Sequence, residues 1–192
     1  MREHPDREAL IDLATQRRWS YFELQSAVDE LALGLLARGI AKGDRVGIWA
    51  VNCTEWVITQ YATAKIGAIL VNVNPSYRQH ELAFAIKQSG MRMIIAQIEF
   101  KASAFRELIK AVRSECPELT EAIFISDPSW EDLIAAGRHV PASVLAERMA
   151  QLSPDDPINI QYTSGTTGYP KGATLSHHNI LNNGFLSPKP SD

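Results

Sequence analysis

The stretch from Arg45 to Val73, RVGIWAVNCTEWVITQYATAKIGAILVNV, decides the fold. Its ends, Arg45 to Val51 and Ala68 to Val73, are apolar runs of strand length. Between them Thr54 stands at a cap position. Trp56, Val57, Tyr61 and Ala64 follow at helical spacing until Gly67 stops the pattern. Strand, helix and strand over this length form a crossover unit, which in one sheet is parallel and right-handed. AILVNV is almost unbroken in apolar character, as in a strand buried on both faces.

The same alternation extends outward. Upstream, Ser20 to Glu23 reads as a capping box. Leu24, Val28, Leu31 and Leu35 line one helical face, and Gly39 stands at the C′ position. Downstream, Asn74-Pro75 breaks the strand, and Ser76 to Gln79 has the spacing of a second capping box. Leu82, Ala83 and Ile86 would face inward, and Ser89-Gly90 closes that helix. Met91 to Ala96 predicts a strand, Ser103 to Arg113 a helix ending near Cys116-Pro117, and Ala122 to Ser126 another strand. The expected class is α/β: a parallel or mixed sheet with flanking helices. Residues 1–126 form the alternating portion. Residues 127–156 read as a loop-rich connection with a short helix from Ser143 to Met149. Asp155-Asp156-Pro157 reads as a turn and not as a metal site. Ile158 to Tyr162 is a short strand, Gly172 to Leu175 its return, and Ser176 the cap of a further helix.

Between those strands lies Tyr162 to Gly172, YTSGTTGYPKG, which carries hydroxyls on Thr163, Ser164, Thr166 and Thr167. Glycines at 165, 168 and 172 permit positive φ and close backbone approach. Successive N–H groups can form an anion-binding nest, hydroxyls donate to phosphate oxygens, and Lys171 adds a compact positive charge. The stretch is not a Walker A loop, whose lysine follows glycine and precedes Ser or Thr; Lys171 follows Pro170 and precedes Gly172.

Composition bounds the rest. The chain has 192 residues, a formal charge of −3, 45% hydrophobic and 21% charged residues, an ordinary balance for one globular domain. No basic patch points to nucleic acid, and no apolar run reaches the length of a membrane span. The N-terminus lacks a secretory core. Cys53 and Cys116 have no metal-type spacing and read as free thiols of a reducing, cytoplasmic setting. His177 and His178, about 100° apart on a helix, form no common chelating face. One is expected to pack near the loop and the other to be solvated. His80 and His139 are expected at the surface, and Trp19, Trp49 and Trp56 in the core.

The ten positions [ST]-S-G-T-T-G-x-P-K-G resemble the signature loop of the adenylate-forming superfamily: acyl-CoA synthetases, luciferases and the adenylation domains of peptide synthetases. WSYFEL at Trp19 to Leu24, KGDRVGIWAVNCTEW at Lys42 to Trp56 and KIGAILVNVNPSYRQHEL at Lys65 to Leu82 resemble that family's segments in the family's order. The likeness runs over roughly residues 4–186, and DPINIQYTSGTTGYPKGATLSHHNILNN resembles acyl-CoA synthetases of medium- or long-chain fatty acids more than peptide-synthetase domains. The resemblance implies a two-step ligase: a carboxylate attacks the α-phosphorus of ATP, and the thiol of coenzyme A then displaces AMP. Thr163, Ser164, Gly165, Thr166, Thr167, Gly168 and Lys171 would hold the β- and γ-phosphates. ATP, Mg²⁺ and coenzyme A are the implied cofactor and co-substrates, and a medium- or long-chain fatty acid the implied substrate. Small molecules are the expected partners, and a homo-oligomer is compatible with the sequence. An aryl- or other acid-CoA ligase, or a non-catalytic remnant, are the alternatives.

The family's Y-G-x-T-E and T-G-D elements are absent, as is the C-terminal domain with its catalytic lysine. No catalytic residue and no metal ligand is therefore assigned in this chain. The likeness stops before residues 187–192, SPKPSD being a tail unlike the family. The chain reads as a fragment of the N-terminal AMP-binding domain, inactive by itself, with residues 157–186 as its phosphate-loop segment.

Overall fold

In the computed structural model, residues 4–101, 103–163 and 170–186 are described. The chain opens with a hairpin, β1 (Glu8–Asp12) and β2 (Arg17–Ser20), and enters α1 (Tyr21–Ala37). Ser20 caps α1 in a true box: its Oγ accepts from the Glu23 N–H, and the Glu23 carboxylate accepts from the Ser20 N–H. Gly39 ends the helix at φ 73°, a conformation that only glycine takes without strain. Then follow β3 (Arg45–Trp49), α2 (Thr54–Ile66), β4 (Ile69–Asn72), α3 (Gln79–Ser89) and β5 (Met93–Ala96). A two-residue ladder, β6 (Glu99–Phe100) with β7 (Ser103–Ala104), precedes α4 (Phe105–Val112). The chain continues through β8 (Glu121–Phe124), α5 (Pro128–Gly137), α6 (Ala142–Ala150), β9 (Pro157–Thr163), β10 (Lys171–Ser176) and α7 (His177–Leu186).

Six strands form the central sheet in the order β10-β9-β4-β3-β5-β8; all pairings are parallel except β9 with β10. Both faces are covered, which explains the near-continuous apolar strands. One core joins Leu31 and Leu35 of α1, Ile58 and Ala62 of α2, Leu133 of α5 and Leu145 of α6 to Val46, Ile48 and Leu70 of the sheet. The other joins Leu82 and Ile86 of α3 and Phe105 and Ile109 of α4 to Trp49, Val71 and Ile94. Trp49 stacks on Phe105 at 3.7 Å between ring centroids.

Three local expectations are corrected. Residues 127–156 are not loop-rich, since α5 and α6 occupy most of them. Asp127 caps α5 through its carboxylate, which accepts from the Ser129 N–H, and Pro128 takes the first helical position. The helix of the crossover, α2, has Cys53 at its cap position and Thr54 as its first residue. The Thr54 hydroxyl donates instead to Asp12 at 2.9 Å, pinning the opening hairpin to α2. At α3 the cap position is Arg78, not Ser76, and Glu81 reaches back to the Arg78 N–H at 3.1 Å. The Ser76 N–H goes to the Asn74 side chain, because Asn74-Pro75 already forms its own turn.

Candidate functional site

Two antiparallel strands frame the hydroxyl- and glycine-rich loop. Thr163 is the last residue of β9 and Lys171 the first of β10, and they are register partners. The Thr163 hydroxyl donates to the Lys171 carbonyl at 3.4 Å, and both residues are exposed. The structure thus brings the two ends of the expected phosphate site together. Ser164, Gly165, Thr166, Thr167 and Gly168 lie outside the described residues. At the next pair, Gly172 faces Tyr162. A Cβ at Gly172 would lie 3.0 Å from the Ile160 side chain and 3.5 Å from the Tyr162 ring, so glycine lets that ring lie close. The Tyr162 hydroxyl donates to the Ala85 carbonyl of α3 at 3.3 Å, and burial pushes its pKa up. The stem of the loop is thereby tied to a neighbouring helix.

Because β9 runs parallel to β4, the loop leaves at the carboxyl edge of the sheet. That edge has a crevice of about 680 Å³, walled by Asn52 after β3, Asn74 and Pro75 after β4, Trp56 of α2, and Gln161 and Tyr162 of β9. Helix α2 leaves β3 toward one core and α3 leaves β4 toward the other. The crevice thus lies outside the carboxyl ends of β3, β4 and β9, the edge at which open α/β sheets bind ligands. The Trp49 Nε1 donates to the Asn74 carbonyl at 2.9 Å and fixes that wall from inside the core. Sequence reasoning assigned Asn74-Pro75 to a turn and Trp56 to the core. The turn is there, and Trp56 is half-buried, packing on the first core while walling the crevice. The available signal was that both apolar strands of the crossover end in an asparagine-bearing turn.

The histidines are not at the loop. Strand β10 carries the chain back to the amino edge, so His177 lands beside Asp156, and its N–H donates to the Asp156 carbonyl at 3.3 Å. Six residues of strand, about 20 Å, separate it from the loop. Its imidazole is held below the usual histidine range by burial, and its Nε2 is buried without a partner among the described residues. His178 is exposed, as expected, 4.0 Å from Asp155. Asp156 accepts from Lys42 at 2.6 Å and from the Ser153 N–H at 2.8 Å, and the Lys42 hydrogen bond holds its carboxyl below the ordinary range. This carboxylate is a structural turn residue, as its sequence suggested. Cys53 and Cys116 are free. Burial pushes the Cys53 thiol up to about 11 and raises that of Cys116, so neither is an activated nucleophile.

The covered parallel sheet, the crevice at its carboxyl edge and the hairpin stem beside it define an open-sheet α/β domain. The chain belongs to the family of AMP-binding enzymes, whose model matches residues 1–189. It is 42% identical to the mitochondrial medium-chain acyl-CoA ligase ACSF2 of Mus musculus, over 95% of this chain and 33% of that protein. It thus spans about a third of the length of such relatives. The fold matches the N-terminal domain of FACL13 from Mycobacterium tuberculosis with a TM-score of 0.81 and 28% identity, over 99% of this chain and 46% of that one. ATP-bound MatB from Rhodopseudomonas palustris matches with a TM-score of 0.75 and 29% identity, over 94% of this chain and 34% of that one.

Proposed function

We propose that this chain is the phosphate-gripping part of an AMP-forming acyl-CoA ligase that activates a medium- or long-chain fatty acid. The observation that carries the reading is the closed hairpin stem: Thr163 and Lys171 meet at the carboxyl edge of the sheet, beside a crevice walled by the ends of β3, β4 and β9. The mostly acyl-CoA-directed names of its relatives, among them ACSF2, support the same reaction class, and MatB is a relative in fold that binds ATP. In this reading the stem and the residues between its ends hold the β- and γ-phosphates, and Lys171 offsets charge on the departing pyrophosphate. Such positioning supplies most of the catalysis in nucleotidyl and phosphoryl transfer.

The donors at the stem are a hydroxyl and an ammonium, which suit phosphate oxygens and not a cation. Mg²⁺ accordingly enters with ATP as part of the substrate. Coenzyme A and the acid are co-substrates of the whole ligase, and the cytoplasm is the proposed setting, a reducing compartment being what two free thiols suit. The chain by itself binds nucleotide without turning it over. The test is amide exchange on the purified chain. ATP or pyrophosphate is expected to protect amides of β9 and β10 next to the loop, and Lys171→Ala to weaken that protection severalfold. Unchanged exchange in the presence of nucleotide would sink the proposal; ATP–pyrophosphate exchange by the chain alone would overturn its inactivity.

A further inference from the structure

The sheet carries an unusual polar patch beside the loop stem. Register pairs Leu70 with Asn159 and Asn72 with Gln161, so these four side chains share one face. Leu70 places that face on the first core, whereas Ile160 and Tyr162 pack on the other. Elsewhere on the first face the strands present Val46, Ile48, Met93 and Ile95. On β4 and β9 three carboxamides replace such aliphatic groups. Asn159 is only 1% exposed. Its Oδ1 and that of Asn72 are buried with no hydrogen-bond partner among the described residues. An unpaired buried acceptor forfeits its water without compensation, so two on adjacent strands mark a place where a donor belongs.

Open space flanks these residues on both sides. Asn72 and Gln161 wall the crevice already described, and Asn159 and Gln161 wall a second cavity of about 430 Å³. Gln60 of α2 and Asn179 and Asn183 of α7 complete the polar lining of the second cavity, with Leu175 and Ile180 as its apolar part. No Asp, Glu, Lys, Arg or His lines either space among the described residues. Among the described residues neither lining offers a counter-ion, so a neutral group costs less to place against these carboxamides than a charged one.

We infer that Asn72, Asn159 and Gln161 form a subsite for a neutral group bearing N–H or O–H, an amide or a hydroxyl, next to the phosphate loop. The carboxamide oxygens accept from it, and the apolar wall packs on the carbon that carries it. The subsite stands on cavity shape and orphaned acceptors, so it holds or fails independently of the ligase reading.

The experiment is an NMR titration of the 192-residue chain, following the side-chain amides of Asn72, Asn159 and Gln161. The probes are propionamide and N,N-dimethylpropionamide, which shares the acyl skeleton and has no N–H. Propionamide is expected to shift these signals saturably, and the dimethyl compound to bind about tenfold more weakly, as one lost hydrogen bond dictates. Asn159→Leu is expected to abolish the difference. Because that position is buried, Gln161→Leu at the exposed rim serves as a second variant, with propionamide binding weakened severalfold. A trough filled by water alone would give no saturable shift. That result, equal binding of the two probes, or selectivity that survives a folded variant would each overturn the inference.

Discussion

His177 shows how one side chain can make the molecule acid-sensitive without touching the candidate site. Burial is the main cause of its depressed basicity; Asp156 pulls the other way and Lys42 adds to the depression. The folded chain therefore holds a neutral imidazole, while the unfolded chain protonates in the ordinary range near 6.5. With the folded value below the unfolded one, stability is full above that range and is lost as pH falls through it. The melting temperature is expected to drop between about pH 7 and pH 5.5, and His177→Asn to flatten that segment of the profile. An unchanged slope in the variant would assign the sensitivity elsewhere. Asp156, whose carboxyl is lowered chiefly by the Lys42 hydrogen bond, adds a second loss at lower pH, when it protonates. The sequence showed a histidine pair at a helix start and could not show where that start lies. The position depends on β10 pairing backward along β9, and the pairing follows from register between strands, which local pattern does not encode.

Among the elements, α1 and α5 meet more closely than their sequences suggest. A Cβ at Gly34 would lie 2.4 Å from the Leu133 carbonyl oxygen, and one at Gly137 would lie 2.5 Å from the Gly34 backbone nitrogen. Backbone touches backbone, so neither glycine can gain a methyl group unless the helices separate. Gly137→Ala is expected to cost about 1–3 kcal/mol, an overpacking penalty measurable by denaturant titration. A cost within error of zero would mean that the helices part freely. Helix α1 was legible because Ser20, Glu23 and a run of buried leucines all agree with one helix. Helix α5 was overlooked although Asp127 and Pro128 mark its start. It buries only Leu133 and Gly137, too few positions for the helical period to stand out. The alternating strands and helices before residue 126 were legible for the opposite reason: burial on both faces leaves long apolar runs between turns.

At the scale of the molecule, the sheet has two edge strands, β8 and β10, and the β10 edge carries the less covered helix. Strand β10 pairs with β9 alone, and α7 beyond it buries none of its residues. Leu181, Phe185 and Leu186 are 74%, 86% and 78% exposed. Apolar side chains on an edge element favour self-association. The double variant Leu181→Gln, Phe185→Ser is expected to reduce association in sedimentation velocity while shifting stability by less than about 0.5 kcal/mol. A large loss of stability would show that these side chains are packed in solution. The ends of the candidate site, Thr163 and Lys171, were legible because a hydroxyl, glycine and lysine pattern states its own chemistry. The crevice was not, since β9, which closes it, lies far along the chain from the crossover that supplies its other walls. The return of β9 to β4, Leu70 beside Asn159, also has a kinetic side. Four helices, α3 to α6, are threaded between the two partners, and so distant a pairing must close a large loop before any contact rewards it. As the chain leaves the ribosome, β3, β4 and β5 can assemble with their helices first. The hairpin that frames the phosphate loop docks afterwards, as a late and slow event.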